Sequence, residues 1–474
     1  NNLAGLNDAA SLGLFKKKAA RIGIVLDGKN TALMPVLKSL FEYYGFVNVI
    51  IINESRDVAF GGVVNPEPKK ENTEELSDMV EKGKALFKEQ GMDVDFSFGL
   101  ATDPDGDRFC VKDIGGNHMT PDEIGVIDTY ELLENIIAQM KAKRDAGQLT
   151  LSEIKKFEGV MVRSMVTTFA LDKLAEIYSK EFMDIAFGDD NTAISAEIKS
   201  EYRTKYEKKE YIPFSVITTS VGWKNIADTQ KSIEKSGKKF LIGVESSGGI
   251  SIGLYDKDGA PATMMPILFA VNRQESLAQL LEKVEKKIGF KVHSIELSIK
   301  FNDIVEKEIE QLTQDILDVK VYENQFDEED SSNITVKKTL TPSQTAKIIE
   351  WAKRQLYETD EWYENKGLEE IVRKIADKRQ KTLIDWIDQA DEAEITDLIY
   401  RLGMPKELKV INIIKIPKEG MQIQLAGADY KEGDLIKTLL TLRASGTEPL
   451  FRVFTYTVDE KLTESISNIG DVIV

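Results

Sequence analysis

Strand-like and helix-like segments alternate over the first hundred residues of the chain. The short apolar stretches "IGIVLDG" (22–28), "VNVIIINE" (47–54) and "VDFSFGLATD" (94–103) are typical of buried strands. Between them, "ALMPVLKSLFEYYG" (32–45) and "NTEELSDMVEKGKALFKEQG" (72–91) place apolar residues at helical spacing. Strands separated by helices indicate βαβ units and a parallel sheet. Such a sheet binds ligands at the carboxyl ends of its strands.

A second set of strand patterns follows in "FEGVMVRSMVTT" (157–168), "PFSVITTSVGWK" (213–224) and "KFLIGVESSGG" (239–249). Beyond it the chain becomes charged and helical in pattern, and then alternates like an antiparallel sheet. We therefore predict two consecutive mixed or parallel three-layer α/β domains, followed by a smaller α+β domain with a helical insertion. The predicted domains are 1–118, 119–291 and 292–474, with the insertion at about 303–405.

Composition limits the classes of partner. The formal net charge of −18 disfavours nucleic acid, because an acidic surface repels phosphate backbones. No apolar run is long enough to span a membrane. Cys110 is the only cysteine, which fits a reducing cytoplasm. With only His118 and His293 in the whole chain, a histidine-rich metal site is excluded.

The stretch "ATDPDGDRF" places Asp103, Asp105 and Asp107 on alternate residues directly after the third strand. Pro and Gly between them favour a tight turn, which can direct three carboxylates at one point. Three carboxylates repel one another unless a hard cation binds, and oxygen ligands in this number suit Mg²⁺. Arg108 then offers a fixed positive charge to a phosphate group.

Two rival interpretations use the same residues. An EF-hand loop would need Gly at Arg108 and Glu at Ile114, so that reading fails. Phosphatases of the haloacid dehalogenase type also place D-x-D after a buried strand, and "IAFGDDNTAIS" (185–195) resembles their later acidic motif. Asp107 stands where that family has Thr or Val, yet the alternative stays open.

Two later loops have the chemistry to bind a sugar and an anion. In "GVESSGG", Glu245 is able to accept hydrogen bonds from sugar hydroxyls, and Ser247 to donate or accept one. In "RASGTEP", Arg443, the hydroxyls of Ser445 and Thr447 and the amides around Gly446 form a candidate anion clamp. Taken alone, the first loop is better explained as a plain Gly-rich turn capped by Ser. In the second, a strand-to-helix turn with Thr447 as N-cap is compatible with an anion site, because both use the same backbone amides.

In this order, "DPDGDR", "GVESSGG" and "RASGTEP" resemble the α-D-phosphohexomutase superfamily, which includes phosphoglucomutase and phosphomannomutase. The stretches "NPEPKKENTEEL", "MVTTFALDKLA" and "VGWKNI" are also similar to that family. The resemblance implies an enzyme that interconverts hexose 1-phosphate and hexose 6-phosphate, of glucose or mannose, with Mg²⁺. In this family a phosphoserine gives its phosphate to the sugar, and the resulting bisphosphate reorients before it returns the other phosphate.

The resemblance also implies a role for each candidate residue. Asp103, Asp105 and Asp107 would bind Mg²⁺, and Arg108 would act on the transferring phosphate. The substrate-binding residues would be Lys224, Glu245, Ser247, Arg443, Ser445, Gly446 and Thr447. Glu245 and Ser247 would bind sugar hydroxyls, Lys224 would be a further residue of the cleft, and the last four would hold the phosphate that is not being transferred.

The family's "TASHNP"-like phosphoserine loop is not found in this sequence. The phosphoserine domain is therefore expected to be truncated, cleaved off or supplied as a separate partner. A sugar-phosphate-binding homologue without catalysis is the main alternative to a mutase. The resemblance gives no role to the helical insertion, which leaves an interface and a lid as equal options.

Overall fold

The computed structural model describes residues 6, 8–30, 33–58, 60, 66–291, 293–300, 303–309, 342–356, 367–401, 404, 407–416, 418, 420–427, 438–444 and 450–457. The chain divides into two compact units, Asn1–Val292 and His293–Val474, and each is described by itself. The finer division at residues 118 and 291 stays a prediction.

In the first unit the strands are β1 (Ile22–Asp27), β2 (Asn48–Ile52), β3 (Phe96–Thr102), β4 (Phe109–Lys112), β5 (His118–Met119), β6 (Gly159–Ser164), β7 (Phe214–Thr219), β8 (Lys239–Glu245) and β9 (Gly249–Ser251). The helices are α1 (Ala9–Ala19), α2 (Met34–Tyr44), α3 (Glu74–Lys82), α4 (Lys84–Glu89), α5 (Pro121–Asp145), α6 (Leu151–Lys156), α7 (Ala170–Phe187), α8 (Ala196–Glu207), α9 (Trp223–Lys235), α10 (Gly259–Arg273) and α11 (Leu277–Ile288).

The first sheet has the strand order β2-β1-β3-β4-β5. Strand β1 pairs in parallel with β2 and β3, whereas β4 and β5 extend the sheet as antiparallel hairpins. Helix α3 packs on one face over β1 and β3, and α10 packs on the other over β3 and β4. Every residue of β1 is buried, as a strand between two helical layers requires.

The second sheet has the order β7-β6-β8-β9, with β6 parallel to both β7 and β8 and β9 antiparallel to β8. Helix α9 covers one face, where Trp223 and Ile226 pack against Val160 and Val162. Helices α5 and α7 contact the sheet through β8 and β7. Helix α5 begins with a capping box in which Thr120 and Glu123 satisfy each other's backbone amides.

The described residues of the second unit form an antiparallel sheet in the order β10-β14-β13-β12-β11. Its strands are β10 (His293–Lys300), β11 (Leu408–Ile416), β12 (Gly420–Gly427), β13 (Thr438–Ala444) and β14 (Leu450–Thr457). The described helices of this unit include α12 (Pro342–Leu356), α13 (Leu368–Gln389) and α14 (Glu392–Arg401). Helix α13 lies on this sheet, and its Ile371 and Ile375 share one apolar core with Met421 and Ile423 of β12. Helix α13, which lies within the predicted insertion, therefore supplies hydrophobic cover for this sheet.

The predicted fold class is confirmed: two mixed α/β sheets with helices on both faces precede an antiparallel sheet with helices. Among the described residues, no helix has the length and apolar character needed to cross a bilayer.

Candidate functional site

The acidic loop after β3 brings three carboxylates together. Asp103 is buried, and its Oδ1 atom accepts a hydrogen bond from the Arg108 backbone amide at 2.9 Å. Gly106 adopts a φ of 77°, which favours glycine, and its amide donates to the Asp103 carbonyl oxygen at 3.1 Å. One oxygen from each of Asp103, Asp105 and Asp107 lies within 4.8 Å of the others. The predicted turn therefore gathers the three side chains.

The electrostatics of this cluster fit a divalent cation. Burial, together with the neighbouring carboxylates of Asp107 and Asp105, raises the pKa of Asp103 to about 7, although the hydrogen bond from the Arg108 amide lowers it. The Oδ1 atom of Asp107 is buried and has no hydrogen-bond partner within the described residues. Crowded carboxylate oxygens of this kind are the ligands that Mg²⁺ takes, with water or phosphate oxygens completing its shell.

Arg108 lies beside the cluster and is held by a second acidic group. Its Nη1 atom donates to Glu67 Oε1 at 2.6 Å, while Glu67 Oε2 lies 2.7 Å from the Lys69 ammonium. The Arg108 Nε atom is 3.8 Å from Asp103 Oδ2 and 3.9 Å from Asp107 Oδ1. This Nε–H is buried and makes no hydrogen bond in the described part of the chain. The guanidinium is therefore oriented, but it retains donor capacity for an anionic ligand.

Lys257 adds a second cation to the acidic loop. Its ammonium lies 2.9 Å from Asp107 Oδ2, and its side chain is largely buried. The next helix, α10, docks on the same loop, because the Gly259 amide donates to the Gly106 carbonyl oxygen at 2.8 Å. A Cβ at position 259 would lie 2.6 Å from that oxygen, so only glycine permits this approach.

The Gly-rich loop between β8 and β9 lies against the acidic loop. Gly248 has a φ of 97°, and a Cβ at this position would lie 3.6 Å from the Cβ of Arg108. Glu245 is buried at the end of β8, and its Oε1 atom accepts a hydrogen bond from the Gly222 amide at 2.8 Å. The structure therefore brings the predicted metal loop and the predicted sugar loop together within one compact unit.

The remaining two candidates of the first unit lie on the surface. Ser247 is exposed at the tip of the Gly-rich loop. Lys224 is the second residue of α9 and is also exposed, with no ion pair to any described residue. Because Glu245 binds the amide just before α9, the start of this helix and the Gly-rich loop are joined by a direct hydrogen bond.

The predicted anion clamp belongs to the second unit. Arg443 is half-buried near the end of β13, and it pairs with Gly420 of β12 and Arg452 of β14 in the sheet register. Ser445, Gly446 and Thr447 lie outside the described residues. The clamp therefore stays a prediction.

Sequence reasoning missed Lys257, Glu67 and Lys69 as members of this site. Glu67 and Lys69 lie in "NPEPKKENTEEL", where the likeness to a known family was the only signal. Lys257 lies in "DKDGAP", directly before the Asp258 cap of α10, and a single lysine before a helix carries no distinguishing pattern. Its role emerges only when α10 is placed on the acidic loop.

Comparison with known proteins places two parts of the chain in a family. Residues 6–116 match the family model of the phosphoglucomutase/phosphomannomutase α/β/α domain II, and residues 209–288 match that of domain III. The acidic loop lies in the first match and the Gly-rich loop in the second. No curated protein sequence matches the chain.

Similar solved structures include a phosphoglucomutase/phosphomannomutase family protein from Burkholderia thailandensis, with 12% identity, a TM-score of 0.48 and coverage of 98% of this chain and 63% of that one. Another is the phosphoprotein pp63/parafusin, a phosphoglucomutase from Paramecium, with 13% identity, a TM-score of 0.48 and coverage of 99% and 61%. The chain thus spans about three fifths of the length of the structures it matches.

Proposed function

Since this chain belongs to the α-D-phosphohexomutase superfamily, we propose that it binds a hexose phosphate and a divalent cation for the mutase reaction of that family. The proposed reaction interconverts the 1-phosphate and 6-phosphate of glucose or mannose through a bisphosphate. The observation that carries the proposal is the contact between the acidic loop and the Gly-rich loop, with Arg108 and Lys257 beside the three carboxylates.

Asp103, Asp105 and Asp107 would hold Mg²⁺, whose charge would stabilise the phosphoryl oxygens during transfer. Arg108 would bind the transferring phosphate through N–H groups that do not donate to Glu67, such as Nε–H. Lys257 would neutralise further negative charge. Such fixed cations favour in-line transfer because they are in place before the charge develops.

The Gly-rich loop would orient the sugar. The Oε1 atom of Glu245 is taken by a backbone amide, so a sugar hydroxyl would donate to Oε2, which has no hydrogen-bond partner in the described residues. Ser247 is exposed beside it and would bind a neighbouring hydroxyl. We propose that Lys224 contributes positive charge to the same ligand, and that Arg443, Ser445, Gly446 and Thr447 hold the phosphate that stays on the sugar.

We also propose that turnover uses a phosphoserine donor that the sequence does not supply, in cis or in trans, and that the protein acts in the cytoplasm. The phosphatase alternative is less well supported. Asp189 of the second acidic motif is exposed and lies 3.2 Å from Arg203, and it is not part of the carboxylate cluster found among the described residues.

The first test is metal binding, measured with Mn²⁺ by electron paramagnetic resonance. We expect one bound Mn²⁺, and at least tenfold weaker binding in Asp105→Asn, an exposed position where the change should spare the fold. Asp189→Asn is the matched control, because it removes an exposed carboxylate outside the cluster. Equal affinity in all three proteins would refute the metal site.

The second test is conversion of glucose 1-phosphate and mannose 1-phosphate, with Mg²⁺, glucose 1,6-bisphosphate and a phosphoserine domain of a related mutase added. The mutase proposal is supported if the wild type forms the 6-phosphate and Asp105→Asn does not. Binding of the sugar phosphate without conversion would instead support a non-catalytic homologue. Release of inorganic phosphate as the only product would support the phosphatase.

A further inference from the structure

A network of buried polar groups lies directly behind the Gly-rich loop. Ser246 stands between the two predicted sugar ligands of the loop, yet its hydroxyl is used within the protein. The Ser246 Oγ atom donates to the Val166 carbonyl oxygen at 2.7 Å and lies 3.2 Å from Asp122 Oδ1. The same Asp122 oxygen accepts the Thr168 amide at 2.9 Å. One buried carboxylate therefore joins the Gly-rich loop to the loop that follows β6.

Thr167 holds the other side of the same segment. Its hydroxyl lies 2.8 Å from Ser164 Oγ, accepts the Ser246 amide at 3.3 Å and donates to the Val244 carbonyl oxygen at 3.3 Å. Ser164 and Thr167 are fully buried. Buried polar groups of this kind are strong determinants of geometry, because each lost partner leaves a desolvated group behind.

Asp122 also belongs to the segment that leads out of the acidic loop. From Arg108 the chain passes through β4 and β5 and enters α5, whose second residue is Asp122. Helix α5 lies directly on β8, since a Cβ at Gly125 would lie 2.4 Å from Val244 Cγ1. The carboxylate thus connects the strand–hairpin–helix segment after the acidic loop with the loop that carries Glu245.

We propose that Asp122 and Ser246 are positioning residues that set the distance between the sugar loop and the metal loop. They touch no part of the ligand in this proposal. They fix the backbone on which Glu245 and Ser247 stand, relative to the segment that begins at Arg108. This inference rests on the proposed function, because it assumes that both loops bind one hexose phosphate.

The test measures the dissociation constants of Mn²⁺ and of glucose 1-phosphate for Ser246→Ala and Asp122→Ala. We expect each variant to bind glucose 1-phosphate about tenfold more weakly, because each loses the Ser246–Asp122 hydrogen bond that holds the sugar loop in place. Mn²⁺ affinity should stay unchanged, because the three carboxylates are intact. Asp122→Asn keeps the Oδ1 acceptor and should restore most of the affinity.

Ser179→Ala is the matched control. Ser179 is a buried serine of the same unit whose hydroxyl bridges two elements, donating to Phe214 O at 2.9 Å and accepting the Phe214 amide at 3.0 Å. It lies outside both loops, so its loss should leave both dissociation constants unchanged. Unchanged glucose 1-phosphate binding in Asp122→Ala, or an equal loss in Ser179→Ala, would overturn the proposal.

Hydrogen exchange of the ligand-free protein separates this proposal from the proposed function. Amides of residues 243–249 should exchange at least tenfold faster in Asp122→Ala than in the wild type, and at the wild-type rate in Ser179→Ala. Faster exchange would support the positioning role even if the wild type bound no hexose phosphate. Absence of hexose phosphate binding would refute only the proposed function. Wild-type exchange in Asp122→Ala would overturn the positioning role.

Discussion

Asp128 of α5 makes the stability of the protein depend on pH in an unusual direction. The residue has no exposed surface, and neither carboxylate oxygen has a hydrogen-bond partner among the described residues. Burial, with a smaller contribution from the charge of Glu131, raises the pKa of Asp128 well above its ordinary value. The native protein therefore keeps this proton at pH values where the unfolded chain has released it.

The size of the effect follows from proton linkage. An aspartate in an unfolded chain has a pKa of about 3.9, so above about pH 5 the unfolded state binds one proton fewer than the native state. The free energy of unfolding then falls by about 1.4 kcal/mol per pH unit because of this group alone. The stabilisation that the protonated Asp128 contributes is fully present below the unfolded pKa, and it is lost as pH rises toward the native pKa.

The measurement is urea unfolding at pH 5, 6 and 7 for the wild type and for Asp128→Asn, which cannot ionise. We expect the difference in unfolding free energy between the two proteins to change with pH above about pH 5, by about 1.4 kcal/mol per pH unit as long as the pH stays below the raised native pKa of Asp128. Asp95→Asn is the control, because hydrogen bonds from Arg21 lower the pKa of Asp95 and confine its effect to more acidic solutions. A wild-type to Asp128→Asn difference that stays constant from pH 5 to 7 would refute the reasoning.

Two further changes test how the helices dock on the first sheet. In Gly259→Ala the new Cβ would lie 2.6 Å from the Gly106 carbonyl oxygen, so we expect a loss of about 1–3 kcal/mol in unfolding free energy and weaker Mn²⁺ binding. A variant with wild-type melting and Mn²⁺ affinity would contradict this contact. In Asp113→Ala, helix α11 loses the carboxylate that accepts the Leu277 and Ala278 amides at 3.0 and 2.9 Å. We expect the free energy of unfolding in urea to fall by about 0.5–2 kcal/mol, and no change would show that these two hydrogen bonds contribute nothing to stability.

Local features of the site were predictable from the sequence, because they depend on neighbouring residues. Asp103, Asp105 and Asp107 are brought together by their own turn, and the strand before them was visible as an apolar run. The same holds for the Gly-rich loop, whose position after a strand follows from the pattern alone. The carboxyl-end rule for α/β sheets then placed both loops at ligand-binding edges.

Contacts between distant parts of the chain were not predictable from the sequence. Lys257 reaches Asp107 only because α10 docks on the acidic loop, and nothing near Lys257 announces that contact. Glu245 was predicted as a sugar ligand, yet one of its oxygens binds the Gly222 amide, a bond between two loops that no local pattern encodes. The predicted insertion shows the same limit. Helical periodicity predicted its helices, but it did not predict that α13 packs on the antiparallel sheet.

The two sheets of the first unit share one apolar core, which has consequences for how such modules can be exchanged. Buried residues from Leu6 through Phe98 to Ile288 belong to a single cluster that crosses residue 118. A chimaera joined at residue 118 would therefore pack this chain's half of the apolar core against the residues of another protein. This would happen even though the two sheets share no strand. Successful recombination would need to transplant α5, α10 and both sheets as one block, so that substitutions in this shared core compensate one another across the two family modules.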